Sequence, residues 1–256
     1  MINVILQFET STILFLVAVC FIAGFVKVYV GFAMPMIILS GSAAIEQPSL
    51  GLAVLILPTL FTNIYQSSLF GRRELIVSIG EFRFFLFACL FGLIVGANLF
   101  VAANLNMLVG GIGAVVLILS FLQLIQIRTP KRNNSSLLSI VFGAVTGLLG
   151  GGTGIWGPTT VLYLTSIGTP KQKQILVQGL TFAFSSIFLL FAHLYTGIFN
   201  NETGILSAFM VLPAMIGMLF GGNIQRYLNQ DRFRLVTLLS LCIGGIYLVY
   251  RSLNIL

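Results

Sequence analysis

Lys27 is the side chain of this sequence best placed to bind a ligand inside an apolar segment. It is the only basic residue well within a long apolar stretch, in the motif GFVKVYVGFAMP at positions 24–35. Ionisable residues at such depth are rare and usually functional. Because no acidic residue lies deep in any apolar segment, an anionic ligand is the favoured partner. Snorkelling to an aqueous interface is the alternative.

A second motif, GLLGGGTGIWGP at positions 147–158, offers backbone groups for the same chemistry. Glycine and proline are poor helix formers, so we expect both motifs to break a helix. The structural residues of these breaks are Gly24, Pro35, Gly147 and Pro158, with each proline in the first turn of the outgoing helix. Helix N-termini after the breaks would present amides that attract anions. Close helix packing is the alternative role of the glycines.

Polar residues in the segments after each motif could line one cavity with Lys27, although interhelical hydrogen bonds explain them almost equally well. His193, the only histidine, is a candidate for proton coupling, with a structural hydrogen bond as the alternative. We place the Trp156 ring at the cavity wall. The predicted substrate-binding residues are Lys27, Gly31, Phe32, Asn63, Gln66, Gly151, Gly152, Thr153, Gly154, Trp156, Gln178 and Ser185.

The composition places these groups in a membrane. Of the 256 residues, 58% are hydrophobic and 7% are charged, whereas soluble domains have about 25% charged residues. Apolar runs of about 20 residues, the length of one crossing, recur along the chain, so we expect an all-α polytopic membrane protein. The positive charges lie mostly in short loops and indicate topology rather than nucleic-acid binding. Single cysteines and the lack of a carboxylate pair or P-loop lysine predict no enzyme activity, no cofactor and no metal.

The apolar segments lie at about 11–45, 49–70, 82–103, 106–127, 136–168, 174–199, 203–225 and 233–252, with boundaries uncertain by about 2–4 residues. A polar linker divides them into two membrane repeats, 1–129 and 130–256. Aligning the two glycine motifs without a gap places Gly31 on Gly154 and Pro35 on Pro158. Later in each half GLIVGAN matches GMLFGGN, where small residues predict close helix packing.

Loop charges predict that the two repeats have opposite orientations. Arg72 and Arg73 mark the second loop of the first half, whereas Lys171 and Lys173 mark the first loop of the second half. Positive loops stay cytoplasmic, so corresponding loops lie on opposite sides. Opposite orientations require an odd number of membrane crossings in each repeat. We therefore expect a broken-helix hairpin plus three transmembrane helices in each repeat, with the hairpin tips meeting near the midplane and both termini outside the cytoplasm. A single long broken helix that crosses once is the alternative to each hairpin.

The two glycine motifs, the GLIVGAN and GMLFGGN segments and the overall length resemble the sulfite exporter TauE/SafE family over essentially the whole chain. The second glycine motif is the better match, because the first carries Lys-Val-Tyr-Val where glycines are common. The resemblance implies a multi-pass permease of the bacterial inner (plasma) membrane. Its implied substrate is a small sulfur-containing anion, such as sulfite, thiosulfate, sulfoacetate or another organosulfonate.

A secondary transporter working by alternating access is the function that we favour. An anion channel with the two tips as its filter is one alternative. An intramembrane binding subunit without transport of its own is the other. The expected partners are the anion and the lipid bilayer, with protons or another ion as candidates for coupling. The sequence leaves open the identity of the anion, the direction of transport and the oligomeric state.

Overall fold

The structure, a computed structural model, describes residues 9–45, 48–102, 135–225 and 229–253, with scattered positions between 110 and 124. All regular structure in these ranges is helical, which confirms the all-α prediction. The predicted segment 106–127 lies largely outside the described residues. The helices are α1 (Thr10–Val30), α2 (Met34–Ala44), α3 (Pro48–Ser68), α4 (Arg72–Glu81), α5 (Arg83–Ala102), α6 (Ser136–Thr153), α7 (Gly157–Ser166), α8 (Lys171–Thr196), α9 (Asn201–Gln225) and α10 (Gln230–Leu253).

Several of these helices can cross a membrane. By length and apolar composition α1, α3, α8 and α9 each contain a candidate span, and α4 with α5 forms a fifth that is bent by 74°. Many large apolar side chains on them are exposed, including Phe87 and Phe91 on α5, as expected of surfaces that face lipid. The chain is therefore a multi-pass membrane protein.

The first predicted segment is broken at residues 31–33. Gly31 has a φ of 83° and ends α1, with its N–H bonded to the Lys27 carbonyl at 2.6 Å. Beyond the break α2 folds back along α1, because a Cβ on Gly41 would lie 2.8 Å from Val19 Cγ1. In an uninterrupted helix these two residues would be about 33 Å apart. The broken segment is therefore a helical hairpin.

The second segment is broken at the matching position. Gly154 has a φ of 69° and ends α6. Beyond it α7 folds back along α6, with a hydrogen bond of 2.9 Å from Thr146 Oγ1 to Thr159 Oγ1. Pro35 and Pro158 occupy the first turns of α2 and α7, as predicted. A missing N–H costs little there, since first-turn amides have no acceptor within the helix.

The breaks are shorter than the sequence motifs. Gly24 and Gly147 lie inside α1 and α6, so the prediction that they break the helix is wrong. A Cβ on Gly24 would overlap the carbonyl oxygen of Ala214 on α9, and one on Gly147 would overlap that of Cys89 on α5. Both glycines therefore let a neighbouring helix backbone approach closely, which is the packing role described for small residues in membranes.

The GLIVGAN and GMLFGGN segments supply the other side of these contacts. Gly92 and Gly96 of α5 face the α6 backbone, and Gly217 and Gly221 of α9 face the α1 backbone. The predicted role in helix packing is confirmed. As a result, α5 of the first half packs on the hairpin of the second half, and α9 of the second half packs on the hairpin of the first.

At the centre, α3 and α8 pack side by side and run antiparallel. Gln66, near the end of α3, donates from Nε2 to the carbonyl of Ile175, near the start of α8, at 2.6 Å. Pro58 inside α3 has no N–H to offer the Val54 carbonyl. The Ser207 hydroxyl of α9 donates to that carbonyl instead, at 3.0 Å. A side chain from α9, a helix distant in the sequence, thus supplies the hydrogen bond that α3 lacks at Pro58.

The sequence analysis missed α4, whose residues it assigned to a charged loop. Ser78 is its one buried residue. Its last residue, Glu81, forms an ion pair with Lys173 at the start of α8. A search for long apolar runs does not detect a helix that lies mostly exposed at the end of the bundle.

Candidate functional site

Lys27 lies in the last turn of α1, and its side chain is 1% exposed. Nζ donates hydrogen bonds to two residues of α3, Thr62 Oγ1 at 2.8 Å and Asn63 Oδ1 at 2.5 Å. Thr62 donates its own hydroxyl hydrogen to the Pro58 carbonyl at 2.6 Å, so it accepts from Lys27. Since Lys27 is buried against α3, it does not snorkel to an interface. No carboxylate pairs with it in the part of the chain that the structure describes.

Two buried amide side chains near the first break have unused hydrogen-bonding groups. Only the oxygen of Asn63 can accept from Lys27, so its Nδ2 points elsewhere. Nδ2 of Asn63 and both polar atoms of Gln178 are buried without a partner among the described residues. Buried polar groups are nearly always hydrogen-bonded in folded proteins. Unused donors therefore indicate a place where a ligand or water is held.

Gly31 brings the backbone of the first break against Gln178. A Cβ at this position would overlap Oε1 of Gln178 and lie 2.7 Å from its Cδ. The positive φ of Gly31 also favours glycine, because an L side chain is strained there. Gly31 thus links Lys27, in the preceding turn of α1, to the amide of Gln178 on α8.

The two breaks contact each other. A Cβ on Gly157, the first residue of α7, would lie 2.7 Å from Cδ2 of Phe32. The helices α2 and α7 therefore begin beside each other, and the N-terminus of each is the positive end of a helix dipole. A separate cleft of 230 Å³ reaches Gly31 at the end of α1 and is also lined by Tyr65 and Gln66 of α3 and by residues of α8 and α9.

The second break has apolar surroundings. A Cβ on Gly154 would lie 3.6 Å from Leu189 and 3.9 Å from Leu55. Trp156 is 1% exposed; its ring lies 6.1 Å from that of Phe182, centroid to centroid. It packs in the main apolar core instead of lining one of the described clefts. The two matching breaks differ in polarity. In the gap-free alignment Lys27 corresponds to Gly150, and Gln178 corresponds to Leu55.

The remaining predicted residues are more scattered. Gly151 lies within α6, where a Cβ would overlap the Leu93 carbonyl of α5, so it serves helix packing rather than a free amide cradle. Gly152 and Thr153 belong to the last turn of α6, and their surroundings lie outside the described structure. Ser185 lines a separate apolar cleft with Cys89.

His193 is far from the break. It follows Gln178 by about 22 Å along α8, near the opposite end of that helix. Thr62 is the contact of Lys27 that the sequence analysis missed. It precedes Asn63 and so could have been identified as a polar neighbour, but a buried threonine in a membrane helix usually bonds its own backbone.

Comparison with known proteins adds a family to this geometry. The model of the family described as Sulfite exporter TauE/SafE matches residues 16–248. The chain belongs to the sulfite exporter TauE/SafE family. No curated protein and no solved structure gives a significant match.

Membership of the TauE/SafE family confirms the predicted resemblance and makes the chain a membrane permease. The matched range includes both breaks, the packing glycines and every predicted site residue. An anion substrate and a lipid environment follow from the family. The site described above lies at Lys27, a buried lysine of this TauE/SafE chain.

Proposed function

We propose that this TauE/SafE protein is a secondary transporter that carries a small sulfur-containing anion across the bacterial inner membrane by alternating access. Sulfite, thiosulfate, sulfoacetate and other organosulfonates are the candidate substrates. The anion is held at the first break by Lys27, Asn63 and Gln178. The observation that carries this proposal is a buried lysine that pairs with no carboxylate among the described residues, beside amide donors for which those residues supply no acceptor.

The hydrogen-bonding capacity of these groups favours an anion. An ammonium has three donors and no acceptor, and two hydrogen bonds from Lys27 Nζ are made to α3. Asn63 Nδ2 and Gln178 Nε2 add further unused donors. The oxygens of a sulfonate or of the sulfite dianion only accept hydrogen bonds, and charge-assisted hydrogen bonds to them are stronger than neutral ones.

The transporter is built from two repeats, 1–129 and 130–256, with opposite orientations in the membrane. Three observations support this. The helices break at matching glycines, the matching helices α3 and α8 run antiparallel, and each half packs a glycine-bearing helix on the other half's hairpin. Both hairpin tips then lie near the midplane, and both termini lie outside the cytoplasm. Labelling of cysteines introduced at either terminus from the cytoplasmic side would contradict this topology.

The second break closes the site through the contact of Gly157 with Phe32. Because Leu55 and Leu189 surround Gly154, the second break supplies shape and the positive end of α7 rather than polar side chains. Rearrangement of the two touching tips exposes the anion to one side at a time. Any contribution of Gly152 and Thr153 remains a prediction.

Binding to the purified protein tests the site. We expect Lys27→Ala to weaken binding of sulfite or methanesulfonate about 10- to 100-fold, as for the loss of a hydrogen bond to a charged group worth about 1.5–3 kcal/mol. Lys173→Ala is the matched control, since it removes a partly exposed lysine that pairs with Glu81. Calorimetry that gives equal affinities for the two variants would remove Lys27 from the site.

Reconstitution of the purified chain alone in liposomes tests the mechanism. A carrier shows saturable counterflow of labelled anion, in which unlabelled anion on one side accelerates entry from the other. Ohmic currents at high unitary rates would identify a channel instead. Binding without flux in sealed liposomes would identify a subunit that requires a partner for transport.

A further inference from the structure

We propose that Lys27 also couples transport to protons: its amino group holds the additional proton only while an anion is bound, so that one proton moves with each anion. This rests on the proposed anion site. It assigns the coupling to a group inside the site and not to His193, which lies about 22 Å further along α8 than Gln178.

The hydrogen bonds of Lys27 match an uncharged amine when the site is empty. An amine has two N–H donors, and Nζ makes two hydrogen bonds, to Thr62 and Asn63. Nζ is the donor in both bonds, because Thr62 donates its own hydrogen to the Pro58 carbonyl and Asn63 presents its Oδ1 to Nζ. An ammonium has a third N–H, for which the described residues provide no acceptor. An anion oxygen beside Nζ supplies one.

Charge balance also requires that Lys27 gains its proton only when an anion binds. A buried charge is tolerated when it is paired. On α1 itself the other ionisable residues are Cys20 and Tyr29, and Glu9 precedes the helix, about 27 Å along its axis from Lys27. Among the helices that pack on α1, α2 has no ionisable residue. The one acidic residue of α9 is Glu202 in its first turn, about 28 Å along that helix from Gly221, which lies against Phe25.

The other neighbouring helices bring no counter-charge to the site. α3 carries only Tyr65. On α10 the charged residues lie near its two ends, where Asp231 is in the first turn and Arg251 is close to the end. On α8 the ionisable residues are Lys171, Lys173, His193 and Tyr195, again near the ends. The anion is therefore the one negative charge available to a protonated Lys27 within the described structure.

The cycle balances in protons and charge. On the loading side a hydronium ion gives a proton to the Nζ lone pair and becomes water, and the anion accepts the new third N–H. The occupied site is neutral for a monovalent anion. After the tips rearrange, the anion leaves and the ammonium returns its proton to water. The amine, with both N–H groups bonded to α3, then resets the carrier without an uncompensated charge.

Substitution of Lys27 by arginine separates binding from coupling. A guanidinium stays protonated in proteins, so Lys27→Arg should bind the anion but fail to reset when empty. The probe is methanesulfonate, which does not titrate in the physiological pH range. In liposomes that contain purified Lys27→Arg, we expect labelled methanesulfonate to exchange between the two sides of the membrane. Net uptake driven by a pH gradient should fall at least tenfold relative to the wild-type protein.

The wild-type protein provides an independent measurement. A pH-sensitive dye inside the liposomes should report one proton per methanesulfonate taken up, and Lys173→Arg should behave like wild type. Uptake by wild type without proton movement would overturn the coupling, as would normal proton-driven uptake by Lys27→Arg. The proton coupling can be tested even if Lys27→Arg fails to fold, because the number of protons per anion in the wild-type protein is sufficient to decide it.

Failure of the underlying site has a different signature. Lys27→Gln keeps a hydrogen-bonding group but has no charge, and we expect it to lose methanesulfonate binding. If it binds methanesulfonate as tightly as wild type, the anion site itself is wrong. If it loses binding while wild-type uptake moves no proton, only the coupling is wrong.

Discussion

Alanine at Gly31 and at Gly154 makes the same chemical change at matching positions, with different expected results. Both glycines have positive φ, 83° and 69°, where an L-residue is strained by about 1–2 kcal/mol. At Gly154 the added Cβ has room, since its nearest neighbour is Leu189 at 3.6 Å. At Gly31 it overlaps the amide of Gln178.

The difference in unfolding free energy between the two variants measures the cost of the clash between the added Cβ at Gly31 and Gln178. Gly154→Ala should lower the free energy of unfolding by the backbone strain, about 1–2 kcal/mol. Gly31→Ala adds overpacking, which costs about 1–3 kcal/mol in tight interiors. Gln178→Ala removes the obstructing amide, so the double variant Gly31→Ala/Gln178→Ala should recover that second part. The expected coupling energy is therefore about 1–3 kcal/mol, in the range found for residues in contact.

Denaturant unfolding in detergent micelles, followed by circular dichroism, measures these free energies. Methanesulfonate binding adds a functional measurement, because displacing Gln178 should weaken binding in Gly31→Ala and leave it nearly unchanged in Gly154→Ala. Equal destabilisation by the two single variants would refute the reasoning. Strict additivity in the double variant would show that the clash with Gln178 contributes nothing.

Three further predictions concern contacts between helices: a hydrogen bond, a close packing contact and an ion pair. Ser207→Ala should destabilise the protein by about 1–3 kcal/mol, because the Val54 carbonyl then lacks a donor, and the loss should nearly vanish in a Pro58→Ala background that restores an N–H. Gly147→Ala should lower the thermal midpoint by forcing α5 away from α6, whereas Gly80→Ala, which points into open space, should not; equal midpoints would contradict the packing role. Glu81→Gln, which removes the ion pair with Lys173, should cost less than about 1 kcal/mol, and added salt should shrink that difference.

The sequence predicted the features that depend on residue type over short distances. Apolar runs with few charges indicated helices in lipid, because uncompensated charge is costly there. Two motifs with the same spacing predicted one helix break in each half. The breaks lie at Gly31 and Gly154, because glycine tolerates a positive φ, whereas the sequence analysis had assigned these two residues to substrate binding. Gly92 and Gly217 could be assigned to packing on the same grounds, since small residues at helical spacing let backbones approach.

Features that depend on distant parts of the chain were decided by the tertiary structure. Nothing local distinguishes Gly24, which packs against Ala214, from Gly31, which breaks the helix, because both lie in one motif and only the contact on α9 separates them. Gln178 and Leu55 occupy matching positions and differ in polarity. Their packing against Gly31 and Gly154 makes one break polar and the other apolar. The two hydrogen bonds of Lys27 required α3 to lie beside the end of α1. Such contacts arise when helices pack, and residue type at a single position does not determine them.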